Sequence, residues 1–213
     1  YVNDIPDAVQ CTVKLFADDT KLYSRVRSPA DAALLQADLQ ALARWSDTWL
    51  MPFNQGKCTV LHIGRRNHHF TYMLGDTPLA STQLEKDLGI HVDAELKFRE
   101  HAASAVAKAT QLLAVIRRSF ALIDESTLPL LYKTVVRPHL EYGNLIWGPF
   151  NRADQRLVER VQRRATRLVQ SVRHRPYVER LRLLQLPSLY YRRRRGDMIF
   201  TYQLLHGGID ADP

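Results

Sequence analysis

The sequence predicts an α+β fold in which a region of short strands and one long helix, residues 1–97, precedes an all-helical region, residues 98–213. The prediction depends on two observations. Short β-branched or aromatic runs bounded by turn residues fill the chain up to about residue 94, and helical periodicity takes over near Glu100. A chain of 213 residues that is 46% hydrophobic is long enough to give one or two such units their own cores.

The first predicted element is a β-hairpin around the sequence LFADDT, residues 15–20. Strand-like runs lie on both sides of it, whereas Asp is depleted within strands. Asp18 and Asp19 are therefore expected at the hairpin tip, where both carboxylates can be presented together, although neighbours in a continuous strand point to opposite faces. Such a pair is either a solvated turn or a set of oxygen ligands for Mg²⁺, and the local residues alone favour the turn.

A long amphipathic helix is predicted next, at SPADAALLQADLQALARWSDTWL, residues 28–50. Ser28 is the expected N-cap and Pro29 the first helical residue, and Pro52 is expected to end the helix. The apolar residues at helical spacing, which should face a core, are Leu35, Leu39, Leu42 and Trp49.

Three further β segments are predicted before the helical region. KCTVLHIG, residues 57–64, is a strand closed by its glycine, and FTYMLGDTPLA, residues 70–80, is a hairpin that turns at Gly75 and Asp76. DLGIHVD, residues 87–93, is a short strand in which Gly89 allows close approach of another backbone.

Four helices are predicted after that. They are REHAASAVAKATQLLAVIRRSF (99–120), STLPLLYKTVV (126–136), ADQRLVERVQRRATRLVQS (153–171) and SLYYRRRRGDMIFTYQLLHG (188–207). The second should stop before Pro138, and Gly207 should cap the last.

The net charge of +8 is concentrated in the predicted helical region. Residues 1–110 are nearly neutral, whereas residues 111–213 carry twice as many Lys and Arg as Asp and Glu, which indicates a polyanionic partner. On the third helix a cationic stripe consists of Arg152, Arg156, Arg160, Arg163 and Arg167, opposite an apolar stripe of Val158, Val161, Ala165 and Leu168.

The cationic stripe is either a solvated helix face or a phosphate-binding surface. A second run, Arg192, Arg193, Arg194 and Arg195, follows Tyr190 and Tyr191 and favours nucleic acid, because aromatic rings stack on bases while cations hold the backbone. An anionic membrane surface is the weaker alternative, since the apolar stripe has few large aromatics.

An intracellular protein, nuclear or cytoplasmic and not secreted, is expected from the cysteine content and the apolar runs. Cys11 and Cys58 form no CxxC motif, and a reducing compartment fits such a pair. The first residues lack a signal-peptide pattern, and no apolar run approaches the length of a membrane span.

Six motifs in order closely resemble the rear part of reverse transcriptases from non-LTR retrotransposons, notably of the jockey and CR1-like groups. They are YVNDIP, LFADDTKLYS, WSDTWLMPFNQGKC, KDLGIHVD, LYKTVVRPHLEYGNLIWGP and LVERVQRRATRLV. The resemblance covers nearly the whole chain. It implies the C-terminal part of a polymerase palm, with antiparallel hairpins packed on a helix, at residues 1–97, and a helical thumb with a basic C-terminal region at residues 98–213.

The resemblance implies a role for each of three segments. In the palm motif FADD, Asp18 would bind the two catalytic Mg²⁺ ions, Asp19 would assist, and Ala17 would lie near the primer end. In FNQGKC, Lys57 would meet the triphosphate, although these residues alone fit a surface lysine before a strand. Leu88, Gly89 and Ile90 would hold the primer backbone, although alone they fit a plain core strand equally well.

The implied activity is RNA-directed DNA polymerisation, by two-metal nucleotidyl transfer to a primer 3′-hydroxyl. Its partners would be an RNA template, a DNA primer and deoxynucleoside triphosphates. The family's first metal-binding Asp lies upstream of YVNDIP, so the sequence predicts a fragment that is inactive without a missing upstream palm and fingers segment. The alternative is a non-catalytic, nucleic-acid-binding remnant of a mobile element.

Overall fold

A computed structural model describes residues 2–149 and 151–209 of the chain. The chain divides into two compact units. The first holds the residues up to Glu85 together with Asp93–Leu96, and the second holds Lys86–Val92 and the residues from Lys97 onward. Helices and strands are both present, as an α+β class requires.

The first unit begins with two 3₁₀ turns, Val2–Asp4 and Pro6–Ala8, followed by an antiparallel hairpin. Strand β1, Thr12–Phe16, pairs with β2, Asp19–Tyr23, which confirms the predicted hairpin. Phe16 lies opposite Asp19, so the connecting loop is only two residues long.

Helix α1 runs from Pro29 to Trp49 and begins with the predicted cap. The Ser28 hydroxyl accepts the Asp31 N–H at 3.2 Å and the Asp31 carboxylate accepts the Ser28 N–H at 2.9 Å, which is a reciprocal capping box. The helix ends as predicted, because Leu50 caps it in the left-handed conformation at φ +53°, two residues before Pro52.

The core of the first unit forms around Ile5, Leu42, Trp45 and Leu74, and residues of β1 and β2 pack against this cluster. Leu42 is buried as predicted, but Trp49 is 41% exposed. The prediction for Trp49 is wrong because it lies in the last turn of α1, beyond the buried cluster.

Asp38 on α1 ties the segment before β1 to the helix, a role that sequence reasoning did not anticipate. Its side chain is only 7% exposed. Its carboxylate accepts the backbone N–H groups of Gln10 at 3.0 Å and Cys11 at 2.8 Å. Burial alone would raise the pKa of Asp38, but these hydrogen bonds together hold the pKa below its usual value.

Replacing Asp38 with Ala should destabilise the first unit by about 2 kcal/mol, because two partly buried N–H groups lose their acceptor. Urea unfolding followed by tryptophan fluorescence measures the loss, with the exposed Asp47→Ala on the same helix as the matched control. A lowered carboxyl pKa stabilises the fold above the unfolded-state value of about 4, so the difference between wild type and Asp38→Ala should shrink as the pH falls below that value. Equal stability of Asp38→Ala and Asp47→Ala at pH 7 would contradict the assignment.

Short strands complete the β structure. Strand β3, Thr59–Leu61, pairs in parallel with β6, Ala80–Thr82. Strands β4, Met73–Leu74, and β5, Thr77–Pro78, form the predicted hairpin that turns at Gly75 and Asp76. Residues 87–93, predicted as one short strand, instead belong to a hairpin. In it β7, Leu84–Asp87, pairs with β8, Ile90–Asp93.

The second unit consists mainly of helices, here labelled α2 to α8. They are α2 Arg99–Ser119, α3 Thr127–Leu131, α4 Arg137–Glu141, α5 Asn144–Trp147, α6 Arg152–Ala165, α7 Tyr177–Leu183 and α8 Leu189–Leu205. Their core includes the fully buried side chains of Leu128, Tyr132, Val136, Leu140, Trp147 and Val158.

The predicted stop before Pro138 is wrong, because the helix continues through a π-helical turn, Tyr132–Val136, into α4. The Arg137 N–H bonds to the Tyr132 carbonyl, five residues back. The wider π-helical turn accommodates Pro138, which has no backbone N–H to donate to the helix.

The last three helices differ from prediction mainly at their ends. Helix α6 stops at Ala165 rather than near Ser171, and α7 was not predicted. Helix α8 is capped by the Ser188 hydroxyl, and Gly207 has the left-handed φ of +67° expected after it. In the residues that the structure describes, none of the helices combines the length and apolarity needed to span a membrane.

Candidate nucleic-acid interface and metal-binding residues

The β1–β2 loop places Asp18 and Asp19 in solvent at one hairpin tip. Asp18 is the second loop residue and Asp19 is the first residue of β2. Ala17, the first loop residue, has a φ of +52°, a conformation that glycine usually supplies in two-residue loops. An alanine there carries strain of about 1 kcal/mol.

Asp18 and Asp19 are the predicted metal ligands, and this role stays a prediction. Within residues 2–149 and 151–209, no group of three His, Cys, Asp or Glu side chains lies close enough together to hold a metal ion. Mg²⁺ needs six oxygen ligands, of which water and substrate phosphates commonly supply several. The pair therefore requires ligands from outside the described residues to hold two ions.

Lys57 ends a 3₁₀ turn, Gln55–Lys57, and Cys58 connects this turn to β3. Its backbone N–H bonds to the Asn54 carbonyl at 2.9 Å and its side chain is exposed. The side chain is accessible to an anion, and its predicted role at the triphosphate stays a prediction.

The predicted primer-binding residues form the turn and the first strand residue of the β7–β8 hairpin. Leu88 and Gly89 both have positive φ, +44° and +85°, as in the tight turns that favour glycine. The Tyr142 hydroxyl donates to the Leu88 carbonyl at 2.8 Å, which fixes the turn. Ile90 is 4% exposed and packs in the helical core, so its side chain cannot reach a primer while Leu88 and Gly89 can.

Helix α6 presents four predicted arginines to solvent, here called the α6 arginine row: Arg152, Arg156, Arg160 and Arg163. On the opposite side Val158, Val161 and Ala165 are buried, which confirms the predicted two-faced helix. Arg167 lies just beyond the end of the helix and is also exposed.

The arginine row forms one wall of an open groove of about 1160 Å³, here called the α6–α7 groove. The other side of the groove is mixed: Val178, Leu181, Leu186 and Pro187 are apolar, whereas Arg182, Gln185 and Ser188 are polar. Tyr190, about half exposed, also lines it. A groove that combines arginines with apolar and aromatic side chains suits a nucleic-acid strand, whose phosphates and bases need different surroundings.

Tyr177 holds one arginine of the row in place, and sequence reasoning missed it. The Arg163 guanidinium carbon lies 4.2 Å from the centre of the Tyr177 ring, within cation–π range. The Tyr177 hydroxyl donates to Glu159 and accepts from Gln162 Nε2 at 3.2 Å. Burial raises the pKa of Tyr177, and Glu159 raises it further. Tyr177 is therefore a neutral support for Arg163.

The run Arg192–Arg195 does not form one cationic face, because successive helical residues point about 100° apart. Arg192 is bound to Glu141 through two hydrogen bonds, one of them from Nη2 to Oε2 at 2.9 Å. Arg193 is only 7% exposed. Arg194 and Arg195 are in solvent, so half of the run is open to a partner.

Comparisons with known proteins find three curated relatives, all RNA-directed DNA polymerases of mobile elements. The chain is 26% identical over 163 residues to the probable RNA-directed DNA polymerase from transposon X-element of Drosophila melanogaster, a match over 72% of this chain and 18% of that protein. It is 27% identical over 149 residues to the polymerase from mobile element jockey of the same species, over 67% of this chain and 16% of the relative. The jockey polymerase of Drosophila funebris is 28% identical over 152 residues, 64% of this chain and 15% of the relative.

The chain thus spans less than a fifth of the length of these relatives. No protein-family profile matches it. No solved structure matches it either. The relatives agree with the predicted resemblance to retrotransposon reverse transcriptases, whereas the division into palm and thumb stays a prediction. Over about two thirds of its length, the chain is similar to RNA-directed DNA polymerases of mobile elements.

Proposed function

We propose that this chain is part of an RNA-directed DNA polymerase of a retrotransposon and supplies carboxylates to its two-metal site. The proposal is supported by the similarity to three such polymerases and by the exposure of Asp18 and Asp19 at a hairpin tip. Two Mg²⁺ ions would activate the primer 3′-hydroxyl and neutralise the phosphates of the incoming deoxynucleoside triphosphate. Asp18 would be the main ligand and Asp19 its assistant.

The other predicted residues would act on the substrates. Lys57 would neutralise or protonate the departing pyrophosphate, which its exposed side chain permits. Ala17 would lie near the primer end, and the Leu88–Gly89 turn, with the backbone of Ile90, would hold the primer. The α6 arginine row, with Arg167, Arg194 and Arg195, would contact template and primer phosphates.

The proposed polymerase needs a further segment to complete its metal site. In the described part of the chain, β1 and β2 pair only with each other, so both strands leave an open edge. A two-stranded sheet is seldom stable alone, and an open edge readily accepts another strand. We propose that an additional palm and fingers segment covers an edge and brings the other metal-binding Asp, which is the family's first in chain order.

A second candidate function is nucleic-acid binding without catalysis, in a remnant of a mobile element. The exposed arginine row along the α6–α7 groove favours it, because this surface needs no metal and no carboxylate. In that case Asp18→Asn should leave the affinity for nucleic acid unchanged.

A chimaeric enzyme tests the polymerase proposal. This chain would replace the matching segment in the polymerase from mobile element jockey of Drosophila melanogaster, and primer extension on an RNA template would be assayed. We expect extension that requires Mg²⁺ and stops when a chelator is added, because the ions neutralise charge on the reacting phosphates. A chimaera that folds and binds template but extends no primer would contradict the proposal and leave the binding function.

A further inference from the structure

A second pocket, here called the Arg180 pocket, lies at the C-terminal end of α6 and has a volume of about 550 Å³. Six arginines and one histidine line it, together with Pro176 and Tyr177, and no carboxylate does. The basic lining residues are Arg160, Arg163, Arg164, Arg167, His174, Arg175 and Arg180. Four of these, Arg164, His174, Arg175 and Arg180, lie outside the cationic residues that the sequence singled out.

Arg180 is the buried arginine of the pocket, and hydrogen bonds hold its guanidinium group in place. It is 3% exposed, its Nε donates to the Thr166 hydroxyl at 3.0 Å, and its Nη1 donates to the Arg175 carbonyl at 2.6 Å. Burial lowers the pKa of Arg180, and the charge of Arg167 lowers it further. A buried cation held this firmly among other cations is costly unless an anion joins it.

The exposed arginines around Arg180 can close on such an anion. Arg163 is already oriented by the Tyr177 ring. Arg175 forms an ion pair with Glu179 at 3.4 Å, and an exposed pair of this kind adds little stability. Guanidinium groups have a planar fork of donors that matches phosphate oxygens, so several of them around one space select phosphate over smaller or uncharged ligands.

We propose that the Arg180 pocket binds phosphate groups of a nucleic-acid strand whose backbone follows the α6 arginine row. Arg160 and Arg163 line both the α6–α7 groove and the pocket, so the two form one continuous phosphate track. The strand's identity as nucleic acid rests on the proposed function, whereas the recognition of phosphate rests on the pocket itself.

Two double variants test the pocket. Arg164→Gln with Arg175→Gln removes two exposed charges that line the pocket and not the groove. The matched control is Arg117→Gln with Arg173→Gln. It removes two exposed charges that line neither the pocket nor the groove. Binding of a fluorescent single-stranded DNA without terminal phosphates would be titrated at several salt concentrations, and inorganic pyrophosphate binding would be measured by calorimetry. Thermal melting would show that both variants are folded.

We expect the pocket variant to bind the strand at least tenfold more weakly and to reduce the slope of log affinity against log salt by about 1.4, since each lost contact to a single strand removes about 0.7. The control variant should stay close to wild type. Equal affinities of the two variants would overturn the proposal that the pocket binds phosphate. Nucleic-acid binding by the arginine row would remain possible. If wild type instead bound pyrophosphate through Arg164 and Arg175 but bound no strand, the strand assignment would be wrong and a free phosphate would be the ligand.

Discussion

Asp18→Asn should lower the rate of primer extension by the chimaeric polymerase by about 10²-fold to 10³-fold or more. A catalytic metal ion contributes several kcal/mol of charge stabilisation in the transition state, and each 1.4 kcal/mol is a factor of ten in rate. The amide of Asn has nearly the shape of the carboxylate but carries no charge, so it binds Mg²⁺ poorly. Because Asp18 is exposed in a two-residue loop, its replacement should leave folding intact.

The matched control for this prediction is Asp76→Asn. Asp76 is also an exposed residue at a hairpin tip, between β4 and β5 of the same unit. Extension should be unaffected there, and Asp19→Asn should cause a smaller loss than Asp18→Asn. Comparable extension rates for Asp18→Asn and Asp76→Asn would show that Asp18 is not a ligand of the catalytic metal.

Replacing Arg156, Arg160 and Arg163 with Gln should weaken nucleic-acid binding by about two orders of magnitude at low salt. Each arginine that neutralises one phosphate steepens the dependence of log affinity on log salt by about 0.7 for single strands and 0.9 for duplexes. The triple variant should therefore flatten the slope by about 2 to 3. These side chains are exposed along one wall of the groove, so the loss should come from binding and not from stability.

The control for the arginine variant removes the same charge elsewhere in the second unit. Arg117, Arg118 and Arg173 are exposed and line neither the groove nor the Arg180 pocket. Their triple Gln variant should retain most of the affinity. If both triple variants lost affinity equally, the attraction would depend on net charge alone, and the arginine row would have no special part in it.

Local features of the fold followed from local sequence. The Ser28 capping box, the β1–β2 hairpin and the two-faced helix α6 depend on residues a few positions apart, whose patterns are visible in the chain. The corrections concern features decided by distant contacts. Pro138 is accommodated by a π-helical turn, and Trp49 is exposed because the core ends one turn earlier.

Helix α7 could have been found from the sequence. Pro176 precedes Tyr177, Leu181 and Leu184, whose spacing of four and three residues is helical. Because α7 was missed, the wall of the groove opposite the arginine row was missed with it.

In the candidate nucleic-acid interface, too, features set by local sequence were predictable and features set by distant contacts were not. Charge periodicity located the arginine row, whereas the stacking of Arg163 on Tyr177 and the ion pair of Arg192 with Glu141 join residues 14 and 51 positions apart. Sequence spacing carries no signal for such pairs. The run Arg192–Arg195 looked uniform in sequence, but helical geometry separates its members into bound, buried and exposed side chains.

The Mg²⁺ dependence of primer extension by the chimaera, compared between wild type and Asp18→Glu, tests the central claim most directly. Asp18→Glu keeps the charge but moves the carboxylate outward by one methylene group. If Asp18 binds the catalytic metal, the variant should need about tenfold more Mg²⁺ for its half-maximal rate, in line with the cost of disturbing metal-ligand geometry. An unchanged Mg²⁺ midpoint with a lower maximal rate would contradict the account, because Asp18 would then support the structure without touching the metal.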